Sequence, residues 1–171
     1  MCIPGCNPRE KQGEDAKAKS DQGKGNTTQP CPLTSKQYKT KPTLDDLLKD
    51  PLVDAELKKA WKESNPNAPE VKKGQPGSKK KEQGGGIYWN KTSGELTVVR
   101  TPAGTRDGTS GAPASIGGDW EKVGEFHTHP NTSAEGYSAD PSPADRNYVK
   151  NGSKVPEIIE THEGRKSIPY P

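Results

Sequence analysis

The sequence predicts an α/β (α+β) domain, a small central sheet flanked by helices, behind a disordered N-terminal tail. Two observations carry that reading. Apolar residues are scarce and unevenly placed: Leu, Ile, Val and Phe number 21 in 171 residues, below the roughly 20% at which disorder becomes the default. Residues 1–42 hold only Ile3 and Leu33 of that set and 65–86 only Val71, whereas 43–64 hold six and 87–171 twelve. A core can therefore come only from one helical segment and the C-terminal half, because the remaining stretches bury too little to offset the entropy of ordering them. The second observation is the order of periodicities within those parts, a helical pattern first and then short β-type runs around a second helix start.

Residues 1–42, rich in Lys, Gln, Gly, Asn, Thr and Pro, read as a tail or delivery segment. In TLDDLLKDPLVDAELKKAWKES, Thr43 followed three residues later by Asp46 forms a capping pattern. Apolar residues at 44, 47, 48, 52 and 57 and then Trp61 line one face, which gives one amphipathic helix or two short ones broken at Pro51. Residues 65–81, with five lysines in VKKGQPGSKKK, read as a solvated, flexible linker. GGIYWN and ELTVVR, joined by KTSG, form a hairpin. A long Gly/Pro/Ser/Thr-rich loop covers 101–121, and VGEFHTH is the next strand. A helix of about two turns starts at Ser142, and VPEIIETHEGRKSIPYP makes a second hairpin that turns at HEGR. Residues 43–171 thus form the domain.

The net charge of +3, from 26 basic and 23 acidic residues, produces no global field that would draw in nucleic acid. The lysine run lacks the arginines and aromatics of a nucleic-acid contact, so a binding role for Lys79, Lys80 and Lys81 ranks last. No run reaches the 18 or more apolar residues of a membrane span, and MCIPGCNPREKQ lacks the apolar stretch of a cleavable signal peptide. Export would use another route; the alternative is a cytoplasmic protein. Cys2, Cys6 and Cys31 are odd in number, with no CxxC pair and no histidine nearby, and form a disulfide or nothing.

The chemistry concentrates in EFHTHPNTSAEGYSADPSPADR. Side chains at i and i+2 of a strand share a face, so His127 and His129 present both imidazoles to one spot, and Pro130 ends the strand just beyond. Ser142, Pro143 and Asp145 are the cap, first and third residues of a helix start. Placed against the histidine strand, that helix start brings the Asp145 carboxylate to the same spot. Two imidazoles and one carboxylate leave a fourth position for water, as at catalytic zinc.

HTHP, eleven further residues and then SPAD resembles the JAMM (MPN+) metalloprotease signature, and Glu-x-Gly-Gly-x-Ile in EQGGGI is similar to the JAB-like domains of bacterial polymorphic toxins and effectors. The resemblance is specific over 82–89 and 127–145 and loose over 43–171. It implies a JAB/MPN-like fold with a mixed sheet and a Zn2+ cofactor held by His127, His129 and Asp145. It also implies that Glu82, on an earlier strand, is the general base and that Ser142 stabilises the oxyanion. Glu125, which shares a strand face with His127, is the competing base. The implied activity is that of a zinc metallopeptidase hydrolysing a peptide or isopeptide bond, as the toxin or effector domain of a bacterial secretion or competition system. Its partners would be a protein or peptide substrate and an immunity protein or secretion machinery, with no membrane. His162, in the predicted turn, reads as a surface residue.

Two other readings differ in class. The amidohydrolase type also begins with His-x-His, but it needs a barrel of roughly 200 residues or more and further histidines that this chain lacks. A catalytically inactive MPN-like binding module would be expected to lose one of the His, His, Asp and Glu positions, all of which are present.

Overall fold

The computed structural model describes residues 35–171; the segment 1–34, with Cys2, Cys6 and Cys31, lies outside the described residues. The domain is a mixed α+β fold around one five-stranded sheet. Helix α1 (Leu44–Leu48) begins with the capping box expected from the sequence: Asp46 N–H donates to Thr43 Oγ1 and Thr43 N–H to Asp46 Oδ2. Pro51 disfavours helical geometry at the residue before it and so stops α1. The same proline then serves as the first residue of α2 (Pro51–Glu63). Asp50 caps that helix, accepting from Leu52 N–H at 2.9 Å and Val53 N–H at 3.3 Å.

The strands are β1 (Gly84–Asn90), β2 (Leu96–Arg100), β3 (Trp120–His129), β4 (Glu157–Thr161) and β5 (Gly164–Ile168). They lie in the order β2-β1-β3-β4-β5, and only the β3–β4 pair is parallel. A parallel pair needs a long crossover. Here the crossover contains a 3-10 turn (Ser133–Glu135), helix α3 (Pro143–Asn147) and a π-helical turn (Tyr148–Ser153). Both expected hairpins form, the second turning at His162 and Glu163. The glycines that open β1 are required by close approach. A Cβ at Gly85 would stand 2.8 Å from the Phe126 ring, and one at Gly86 2.7 Å from the Tyr88 hydroxyl.

Strand alternation divides the sheet into two faces. One carries Ile87, Trp89, Phe126 and Ile158, which pack with Leu47, Val53, Leu57 and Ala60 of the helices into the main core. Burying a leucine such as Leu57 completely contributes roughly 1.5–3 kcal/mol. The other face carries a small apolar cluster, Val149, Ile159 and Ile168; beside it, β3 contributes Glu125, His127 and His129.

Two segments depart from expectation. Residues 35–42, inside the span read as a tail, meet the domain: Leu96 N–H donates to Ser35 Oγ, and Lys36 N–H and the Tyr38 hydroxyl donate to Asp50. The lysine-rich stretch is not a free linker either. Lys80 is 1% exposed, and its ammonium lies 2.6 Å from Glu135 Oε2. Val71 N–H donates to Glu135 Oε1, and Lys73 N–H to the Glu135 carbonyl. The segment is held as the wall opposite the 131–137 loop by this pair, while Lys72, Lys73, Lys79 and Lys81 face solvent.

Candidate metal centre

His127 and His129 sit at the C-terminal end of β3, two residues apart, so both rings leave the sheet on the same side. Their Nε2 atoms are 2.9 Å from each other. Asp145 reaches them from α3, its Oδ1 3.7 Å from His127 Nε2 and its Oδ2 3.6 Å from His129 Nε2. The carboxylate is aimed by a second capping box: Ser142 N–H donates to Asp145 Oδ2 at 2.7 Å, and Asp145 N–H to Ser142 Oγ at 3.2 Å. The capping and ligand readings of Ser-Pro-Ala-Asp are therefore one arrangement.

Two imidazole nitrogens and a carboxylate oxygen, all within 4.8 Å of one another, form a group that could hold a metal ion. Nitrogen and oxygen ligands placed about 2.0–2.1 Å from a tetrahedral ion lie about 3.3 Å apart. The three separations here bracket that value, so the residues fit such an ion with small shifts of their rings.

Electrostatics distinguish the two histidines. Burial lowers His127 most strongly, but the hydrogen bond and charge of Glu157, with Glu82 and Asp145, outweigh it and raise its pKa above the ordinary value. His129 is pushed down to about 4, by burial first and then by the charge of His127, against the pull of Asp145. Two ring nitrogens at 2.9 Å can share a hydrogen bond only if one bears a proton.

Glu82 is not on β1, which starts at Gly84, but two residues ahead of it. Backbone bonds from Glu82 N–H to Thr105 O and from Gly104 N–H to Glu82 O keep it extended there. Its carboxyl is buried in the same cleft, and its pKa is raised to about 8. Burial is the main cause, His127 opposes it, and Asp145, Asp107 and Glu157 add to it. Among the described residues no side-chain hydrogen bond engages that carboxyl. Glu125 is differently placed. Its oxygens accept from Lys122 Nζ, from the Tyr148 hydroxyl at 3.2 and 3.3 Å and from Ala112 N–H at 3.3 Å. His162 stays away from the cluster, its Nε2 2.9 Å from the Pro130 carbonyl and its ring edge-on to Trp61.

His127, His129, Asp145, Glu82 and Glu125 line a cleft of about 790 Å³ whose rim includes Lys73, Asp107 and Tyr137. Tyr137 has Lys73 Nζ 4.9 Å and the Arg106 guanidinium 5.0 Å from its ring centre, and its hydroxyl bonds Asp107. Sequence reasoning missed Glu157, whose Oε1 lies 2.8 Å from His127 Nδ1, as well as Glu135 and Tyr148. An acidic residue opening an apolar strand, as in EIIET, was the available signal for Glu157. No protein-family model, curated protein or solved structure matches this chain.

Proposed function

We propose that this chain is a zinc metallopeptidase of the JAMM (MPN+), JAB-like type, hydrolysing a peptide or isopeptide bond. The observation that carries the reading is the convergence of His127, His129 and Asp145 at one spot in the cleft, with the Glu82 carboxyl buried in that cleft and without a side-chain hydrogen bond among the described residues. Two histidines and one carboxylate are a catalytic zinc set, and bound there zinc supplies Lewis acidity that polarises a carbonyl and lowers the pKa of water toward about 7. Glu82 takes a proton from the attacking water and delivers it to the departing amine. Burial raises its pKa, and a bound cation beside it would favour the charged, proton-accepting form. Glu125, already bonded to Lys122, Tyr148 and Ala112, is the poorer base. The Ser142 hydroxyl uses its oxygen to cap α3 and keeps its proton for donation to the oxygen of the scissile carbonyl. The setting proposed, a toxin or effector domain of a bacterial secretion or competition system acting on a protein or peptide, rests on the motif resemblance and the polar N-terminal composition.

The test measures zinc by elemental mass spectrometry and new amino termini released from a peptide library, for the wild type and for Glu82→Gln. One zinc per chain in both, with hydrolysis about 10²–10⁴-fold slower in the variant, is the expected result. Zinc bound without cleavage by the wild type would make the domain a binding module, and undiminished cleavage by the variant would move the base to Glu125. Failure of the wild type to take up zinc would remove the metallopeptidase reading.

A further inference from the structure

We propose that Glu157 is the positioning residue of the metal centre: it fixes the ring of His127 so that Nε2, and not Nδ1, faces His129 and Asp145. The inference rests on the metal-centre reading and adds to it a residue outside the motif. Parallel pairing of β3 with β4 sets Glu125 against Glu157 and His127 against Ile159. Residues paired across strands share a face, so Glu157 is the diagonal neighbour of His127 on the ligand side of the sheet. A glutamate side chain spans that diagonal, and its Oε1 stands 2.8 Å from Nδ1. An imidazole that donates from Nδ1 has its other nitrogen on the far side of the ring for a ligand role, with the rotation about χ2 fixed.

The two histidines are then unequal partners. His127 is 4% exposed and held from behind, whereas among the described residues the only hydrogen bond of the His129 side chain is the contact with His127. His127 anchors the centre and His129 follows it.

The second oxygen of Glu157 separates this role from a structural one. Glu157 is 4% exposed, and its Oε2 is buried without a hydrogen-bond partner among the described residues. A buried carboxylate with one donor is expensive for the fold. Replacing it by glutamine or leucine should therefore cost the metal-free fold nothing.

The experiment uses the full chain, Glu157→Gln and Glu157→Leu. Zinc affinity is measured by competition with a chromogenic chelator, the cobalt(II) visible spectrum is recorded, and urea unfolding is followed without metal. Zinc affinity should fall about 10-fold in the glutamine variant and up to about 100-fold in the leucine variant, the range for loss of a partner behind a histidine ligand. The cobalt bands should shift, and unfolding without metal should occur at the same or a higher urea concentration. A packing role predicts the opposite, with stability and affinity falling together in Glu157→Gln, and that result would overturn the proposal. Zinc affinities within twofold of wild type in the glutamine variant would overturn it as well, while leaving the metal centre standing. A wild type that binds neither zinc nor cobalt would remove the centre and the inference with it.

Discussion

Glu135 and Glu157 are both buried carboxylates facing basic groups, 1% and 4% exposed, and the surroundings of each reveal different work. Glu135 is saturated. It accepts from Lys80 Nζ at 2.6 Å, Val71 N–H at 3.0 Å and Thr132 N–H at 2.9 Å, with Arg106 3.7 Å away. Although burial alone would raise its pKa, the Lys80 hydrogen bond and the two backbone donors hold it down to about 2, so it remains charged and locks two loops together. Among the described residues Glu157 has one partner, a histidine, and an idle oxygen. The first region is electrostatically complete within the chain. The second gathers the carboxyl groups of Glu157, Glu82 and Asp145 around two imidazoles, a set of oxygen and nitrogen donors suited to a cation. A buried carboxylate whose donors are all internal serves the fold, and one left short of donors marks a place for a guest.

The comparison can be broken most severely at its saturated end. Lys80→Met strips Glu135 of its main counter-charge, and the loss on urea unfolding should be about 3–5 kcal/mol. Adding Glu135→Leu should recover most of that loss, because the orphaned charge goes with it; a double variant no better than the single would mean that packing dominates the pair. Acid acts on the same group. A carboxylate with a lowered pKa stabilises the fold above its unfolded value of 4.5. That contribution, roughly 3 kcal/mol at 1.4 kcal/mol per pKa unit, should be lost as the pH falls from there toward about 2. Unfolding free energies measured across this window should fall less steeply in the double variant, and parallel curves would remove Glu135 from the account. At the other region, His129→Ala should weaken zinc by at least about 100-fold, more than loss of an outer partner, while metal-free unfolding shifts by less than about 1 kcal/mol. A large fall in metal-free stability would mean that the histidines are structural. The smallest effect belongs to Ser142→Ala, which removes a helix cap for about 1 kcal/mol and loosens Asp145. Its zinc affinity should drop only a fewfold, and an unchanged value would separate the cap from the ligand.

How much of this was legible followed the range of each interaction. The Thr43–Asp46 and Ser142–Asp145 boxes, the break at Pro51, both hairpins and the shared face of His127 and His129 all depend on residues within a few positions of one another. Glu157 could not be found that way, since it meets His127 only through a parallel register across a 27-residue crossover (130–156). Lys80 stands between two other lysines, and no composition rule distinguishes the one that turns inward. Its partner Glu135 lies in the 131–141 loop, and nothing local to that loop shows that its carboxylate answers a charge 55 residues away. The low apolar content suggested a linker at 65–81 for a related reason: part of this domain's interior is polar and paired, which hydrophobic counting does not register.

The inward turn of Lys80 has a chemical consequence. Acylating reagents attack the neutral amine, and an ammonium held against a carboxylate and shut away from water offers neither the lone pair nor the path. In the tract Lys79-Lys80-Lys81 an amine-directed ester should therefore mark the outer two residues and pass over the middle one while the domain is folded. Three adjacent, identical side chains become a built-in reporter of the native state: trypsin applied after unfolding would cut after the unmarked Lys80 and spare its acylated neighbours, a pattern read by mass spectrometry.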